Sequence, residues 1–253
     1  KMYRAFLDAG HEVKLLAVSQ DRIDWPRRRE AIREVMEWLD TNTPDLCYIE
    51  SHVYPIILPE DYRLIRRLHR MGVPMGYFYR DFYKKFPKEF PKRKDPAGWC
   101  KDTLKDILQS RTDRLLRQAD IVYVPCRECR EIFSEYADVR PLPPASEDRR
   151  EYRRQGDNTA IYVGGIIDSY GGALMLEAFH RLNEEGEYPL LLICRRNEWE
   201  KLDSPFKAEP WLEVHHATSE QLVPYYERAG IALAINRGTE YDDYAISVKL
   251  YEY

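Results

Sequence analysis

Short apolar, β-branched or aromatic runs alternate along the chain with segments whose apolar residues recur every three to four positions. Strands are predicted at 12–19 (EVKLLAVS), 46–50 (LCYIE), 74–80 (PMGYFYR), 121–125 (IVYVP), 160–165 (AIYVGG), 190–194 (LLLIC), 212–216 (LEVHH) and 231–236 (IALAIN). Between them, Ala31, Ile32, Val35, Met36 and Leu39 share one helical face. Leu64, Ile65, Leu68 and Met71 share another, with Gly72 placed to end that helix in a left-handed residue. Leu104, Ile107, Leu108, Leu115 and Leu116 mark a third, longer helix. Strand–helix–strand in this rhythm requires crossover connections. It predicts an α/β fold of parallel sheets with helices on both faces.

The rhythm breaks once, at 141–159 (PLPPASEDRREYRRQGDNT), a stretch rich in proline and charge with no apolar face. It reads as a linker between a first Rossmann-like domain over 1–140 and a second over 160–253, facing each other across a cleft. Residues 1–13 read as a helix end running into a strand with no first strand before it, and 244–253 begin a helix, so the chain reads as a piece of something longer.

Composition narrows the classes. With 44% hydrophobic and 32% charged residues in 253, a packed core is expected and wholesale disorder is excluded. Thirty-nine basic against 43 acidic residues leave a net charge of −4, without the basic excess of a general nucleic-acid binder. No run approaches the roughly 18 apolar residues that span a bilayer. Five cysteines and no charged-then-apolar leader favour a reducing cytoplasm over a disulfide framework.

Several residues sit where chemistry is done. The strand at 160–165 ends in Gly164-Gly165, with Gly171-Gly172 ahead of a helix, a pattern that lets backbone N–H groups approach a phosphate or simply makes a tight turn. It fits neither Gly-x-Gly-x-x-Gly nor a Walker loop. Arg195 and Arg196 directly follow the strand LLLIC, where guanidinium groups can pair with a diphosphate. Ser247, Lys249 and Glu252 lie close together on a late helix. In the first half, Arg80-Asp81 closes a strand and Glu50-Ser51 closes another. Arginine stays protonated and cannot act as a base, which leaves it an electrostatic or positioning role. Cys126-x-x-Cys129 lacks the further ligands of a zinc site. His215-His216 alternates across a strand, so its rings point to opposite faces. Residues 77–94 (YFYRDFYKKFPKEFPKRK) interleave rings and bases, which suits single-stranded nucleic acid, an anionic membrane surface, or a solvated loop.

YVGGI, CRR and Lys249-Leu-Tyr-Glu252-Tyr together resemble the donor-binding domain of GT-B glycosyltransferases of family four. Ala9-Gly-His-Glu-Val13, Ala119-Asp120-IVYVP-Cys126 and Tyr77-FYRDFY resemble stretches of that family's first domain. Of the family's two glutamates eight positions apart, Glu252 fits the second, while Tyr244 stands at the first. The lysine that follows the family's Gly-Gly turn is also absent, and Arg80-Asp81 stands where a His-Asp pair is common.

The resemblance implies transfer of a sugar, with retention, from a nucleotide-diphosphate sugar to a glycan or lipid-linked acceptor in polysaccharide biosynthesis. It implies no cofactor and no bound metal. Gly164, Gly165, Arg195, Arg196, Ser247, Lys249 and Glu252 would bind the donor, Glu252 at the ribose hydroxyls and Lys249 at the diphosphate or sugar. Arg80 and Asp81 would stand near the reacting centre, with Glu50 and Ser51 on the acceptor side. A lipid-linked acceptor ranks the membrane above nucleic acid for 77–94, at the inner face of the cell membrane. A GT-B-like sugar-nucleotide epimerase and a non-catalytic glycan- or partner-binding protein of the same architecture are the alternatives. Free sugar and nucleotide released without any acceptor would favour the first of these.

Overall fold

A computed structural model describes residues 2–50, 55–146, 158–167, 170–235, 238–244 and 246–253. The chain forms two compact units, Lys1–Leu142 and Pro143–Tyr253.

In the first unit, α1 (Met2–Asp8) and α2 (Trp25–Trp38) precede β1 (Cys47–Glu50), α3 (Pro59–Arg70), β2 (Met75–Phe78), α4 (Pro96–Leu116), β3 (Ile121–Val124), α5 (Cys129–Ile132) and β4 (Val139–Pro141). The strands form one parallel sheet in the order β1-β2-β3-β4. Ile32 and Leu39 of α2, Leu64, Ile65 and Leu68 of α3, Met75 of β2 and Leu115 of α4 make one core cluster. Gly72 adopts φ 73° just past α3, the left-handed stop that its position suggested. Asp120 receives the Met75 N–H at 2.7 Å and returns its own N–H to the Met75 carbonyl, which locks β3 beside β2.

Two buried polar arrangements tie α3 in place. Asp61 accepts the Arg28 guanidinium in a fork, with contacts of 2.7 and 3.0 Å and side chains only 6% and 11% exposed. The Thr112 hydroxyl of α4 takes the Ile56 N–H at 3.0 Å, and Tyr62 donates to the Ile56 carbonyl at 3.1 Å.

Three expectations need correction. Residues 12–19 form no strand: Leu15 is half exposed, Leu16 is the residue that packs on the core, and no neighbouring strand receives the segment. Adjacent apolar residues at 15 and 16 cannot share one face of a pleated strand. A strand at 139–141 was not anticipated, so the proline-rich stretch starts on a short edge strand, where proline costs no ladder bond. Its residues 147–157 lie outside those described. Lastly, α4 forms, but Leu104 and Ile107 point outward from it.

The second unit runs β5 (Ala160–Val163), α6 (Gly172–Glu185), β6 (Leu190–Ile193), α7 (Arg196–Lys201), β7 (Leu212–His215), α8 (Val223–Arg228), β8 (Ile231–Ala232) and α9 (Lys249–Glu252). Its parallel sheet has the order β7-β6-β5-β8. Alternation divides the central strands between two cores. Ala160, Tyr162, Leu190 and Leu192 pack with Met175, Leu176 and Phe179 of α6. Ile161, Leu191 and Ile193 pack on the other side with Ala229, Leu222 and Tyr226. All four residues of β6 are buried, each contributing about 1.5–3 kcal/mol of apolar burial. The expected α/β class with two Rossmann-like parallel-sheet units is therefore what the chain forms. No described helix is long and apolar enough to cross a membrane.

Candidate functional site

In an open parallel sheet, chain order reverses between two neighbouring strands, and the loops there part to leave a crevice at the carboxyl ends. In the second unit that point lies between β5 and β8, since β6 and β7 build outward on one side and β8 is added on the other. The Gly164-Gly165 turn sits at the carboxyl end of β5.

Four contacts fix this turn. Gly164 donates its N–H to the Ile193 carbonyl at 2.9 Å, extending the β5–β6 ladder. Val163 donates to the Tyr253 hydroxyl at 3.1 Å. Tyr162 donates its hydroxyl to the Gly165 carbonyl at 2.8 Å. Ile166 donates to Glu198 Oε2 at 3.0 Å, and Arg195 grips the other oxygen of that carboxylate at 2.5 Å. Gly164 holds φ 148°, a region that L side chains rarely adopt. A Cβ there would lie 2.5 Å from Lys249 Cε.

Lys249 is therefore laid directly over the turn. Its ammonium donates to the Tyr162 hydroxyl at 3.0 Å, lies 4.2 Å from the centre of the Tyr162 ring and 5.9 Å from that of Tyr170. Burial lowers its pKa from the ordinary lysine value, and among the described residues no carboxylate pairs with it. Burial likewise pushes the Tyr162 phenol up to about 12. At Glu198 burial raises the pKa, but the Ile166 N–H and Arg195 outweigh it and hold the carboxyl below its ordinary value. A half-buried cation without a counter-charge, beside a glycine turn, can neutralise and hydrogen-bond an anionic group.

The structure thus gathers Gly164, Gly165 and Lys249, and reaches Arg195 through Glu198. Arg196 opens α7 with its side chain exposed, Ser247 is half-buried just before α9, and Glu252 is exposed on α9, one residue from the Tyr253 that contacts β5. Sequence reasoning missed Glu198, whose only signal was a carboxylate three residues after Arg195 at a strand–helix junction. It also missed the Tyr162 and Tyr253 hydroxyls. His215 and His216 diverge as alternation requires. His215 contacts Glu213 and Tyr225, and His216 contacts the Cys194 carbonyl.

In the first unit, Glu50 ends β1 and Arg80 follows β2, and the two form an ion pair at 3.6 Å with both side chains about half exposed. Asp81 accepts from the Tyr83 hydroxyl at 3.3 Å. Ser51 lies outside the described residues. Beneath them, the buried Tyr79 donates to Asp113 at 2.8 Å, and Gln109 donates to both. Burial and the neighbouring carboxylate push the Tyr79 phenol well above its ordinary value. Cys126 and Cys129 are buried with sulfurs 3.2 Å apart, and burial raises the Cys129 thiol. Among the described residues no group of three metal-ligating side chains forms.

The segment 77–94 departs from the expectation of outward rings. Tyr77, Tyr79, Phe82 and Phe86 are 2–5% exposed, and Phe82 and Tyr79 pack on Phe133. Its cations meet acids: Lys84 reaches Asp113, Lys85 Glu135, Lys92 Asp106 and Arg93 Asp102. Aromatic burial outweighs what the same rings would gain at an interface, and so pins the segment inward.

No family model matches the chain, and no curated protein matches it significantly. Solved structures do. The chain is similar to MurG of Acinetobacter baumannii at 11% identity and a TM-score of 0.38, over 91% of this chain and 58% of that one. It is similar to the UDP-N-acetylglucosamine 2-epimerase of Rickettsia bellii at 13% identity and a TM-score of 0.42, over 89% of this chain and 60% of that one. The chain spans less than two thirds of the length of either protein.

Proposed function

We propose that the chain is part of a GT-B glycosyltransferase that moves a sugar from a nucleotide-diphosphate sugar to a glycan or lipid-linked acceptor, with retention. One observation carries this reading: the Lys249 ammonium, half-buried and without a paired carboxylate among the described residues, lies over the Gly164-Gly165 turn at the reversal point of the second sheet. A diphosphate is the anion such a crevice suits. When the bond from the anomeric carbon to the diphosphate breaks and the acceptor oxygen takes its place, negative charge grows on the departing phosphate. A fixed ammonium and fixed backbone dipoles stabilise that charge without reorganising. Glu252 accepts from the ribose hydroxyls, with Arg196 and Ser247 beside the donor. Arg195 acts through Glu198 on the shape of the turn. Arg80, held by Glu50, and Asp81, with Ser51 nearby, serve the acceptor.

Binding of uridine, guanosine and thymidine diphosphates and their sugars, followed by thermal shift and calorimetry, tests the donor assignment. A ligand at 100 times its dissociation constant adds about 2.7 kcal/mol of stability. Lys249→Met and Glu252→Ala should each weaken binding about ten- to hundredfold, as loss of a hydrogen bond to a charged group does. Lys249→Met should do so without lowering the melting temperature, because it removes a desolvated charge. Absence of binding to all three nucleotides by the folded chain, or full affinity in both variants, would overturn the assignment.

A further inference from the structure

The Cys126-x-x-Cys129 pair takes no part in the donor or acceptor sites. Cys126 follows β3 and Pro125, and Cys129 opens α5, so the two thiols meet across the corner between strand and helix. Their sulfurs are 3.2 Å apart, against about 2.05 Å in a disulfide, and neither is bonded to another cysteine. Among the described residues no third metal-ligating side chain joins them.

The two thiols are not equivalent. Cys126 is 7% exposed, and its S–H donates to the carboxylate of Glu128, a residue at the surface. Cys129 is 0% exposed and lies in contact behind it. Burial pushes the Cys129 thiol up to about 12, so it stays protonated while Cys126 is the thiol nearer to solvent. An outer thiol beside a proton acceptor, with an inner thiol touching it, suits a two-step exchange: the first sulfur attacks an oxidant and the second resolves the adduct.

We propose that Cys126 and Cys129 form a site of reversible oxidation, at which a low-molecular-weight disulfide closes them into an internal disulfide. The Cys126 thiol gives up its proton by way of Glu128, and its sulfur attacks one sulfur of the reagent. A mixed disulfide forms, and the first reagent thiolate leaves and takes up a proton. Cys129 then loses its proton and attacks the Cys126 sulfur, which expels the second reagent thiolate to be protonated in turn. Two protein thiols are oxidised to one disulfide, and one reagent disulfide is reduced to two thiols. Closure ties the tip of β3 to α5, next to Phe133, on which Tyr79 and Phe82 pack. The site belongs to the first unit and does not depend on the donor-site reading.

Treatment of the folded chain with 2-hydroxyethyl disulfide tests this, followed by acid quenching, alkylation in urea and peptide mass spectrometry. Cys126 and Cys129 should carry no alkyl group and no reagent adduct, and both should become alkylated once dithiothreitol is added. The exposed Cys100 should carry the mixed disulfide, which shows that the reagent has acted. In Cys129→Ala, Cys126 should stop at the mixed disulfide. In Cys126→Ala, Cys129 should remain alkylatable, because the reagent cannot reach it. Unchanged circular dichroism confirms the fold of each variant, and the parent chain alone decides the main point. Full alkylation of both cysteines in the treated parent, beside a modified Cys100, would overturn the proposal and leave the pair as core packing. Pairing that appears only after the chain is unfolded in urea, or only between two chains on a non-reducing gel, would overturn it as well.

Discussion

Glu198 offers the sharpest test of how the Gly-Gly turn is held. Glu198→Ala deletes the acceptor of the Ile166 N–H, whose residue is 1% exposed, and so orphans a buried donor. A hydrogen bond to a charged group contributes about 1.5–3 kcal/mol. The Arg195 pair adds at most about 1 kcal/mol, because Arg195 is 73% exposed and screened by solvent. The alanine variant should therefore lose about 2–4 kcal/mol, or roughly 8–15 °C in the melting temperature of a unit of this size. Glu198→Gln keeps an oxygen for Ile166 and should lose about 1 kcal/mol.

The pH dependence has a definite sign. The folded carboxyl lies below its ordinary value, so its contribution is present above the unfolded pKa and fades as pH falls through the folded one. The stability gap between parent and glutamine variant should close as pH falls below the ordinary glutamate range. Hydrogen exchange at the Ile166 amide separates a local clamp from general destabilisation. It should quicken about ten- to hundredfold in the alanine variant and hold near the parent rate with glutamine. Equal protection of that amide in all three proteins would refute the reasoning.

Asp61→Ala strands the 11%-exposed Arg28 guanidinium and should cost about 3–5 kcal/mol by chemical denaturation, whereas Arg28→Met with Asp61→Leu should recover most of it. An unchanged denaturation midpoint in the single variant would show that the pair contributes little. Tyr253→Phe removes the acceptor of the Val163 N–H and should cost about 1–3 kcal/mol, read by calorimetry. If the melting temperature does not move, water replaces the hydroxyl at no cost.

The parallel-sheet class was legible because β2, β3, β5 and β6 are short apolar runs buried on both faces or alternating cleanly, and they formed where expected, as did the half-buried β7. The segment 12–19 carries similar residues, but strand formation depends on a neighbour, which composition does not encode. The strand at 231 stops after Ala232, because only two residues pair with β5. The rings of 77–94 illustrate a second limit: their number and spacing were visible, while their inward direction depends on Phe133, some fifty residues further on. At the site, glycines and Lys249 could be singled out by motif. Glu198 and the tyrosine hydroxyls could not, because their partners are backbone groups that only the folded turn brings within reach.

The bond from Val163 to Tyr253 spans ninety residues of sequence. During synthesis at about 5–20 residues per second, the amide at the tip of β5 waits roughly 5–18 s before its acceptor exists. The strands that pair with β5, namely β6 and β8, both precede Tyr253 in the chain. The Gly164-Gly165 turn therefore gains this hydrogen bond only once Tyr253 has been made.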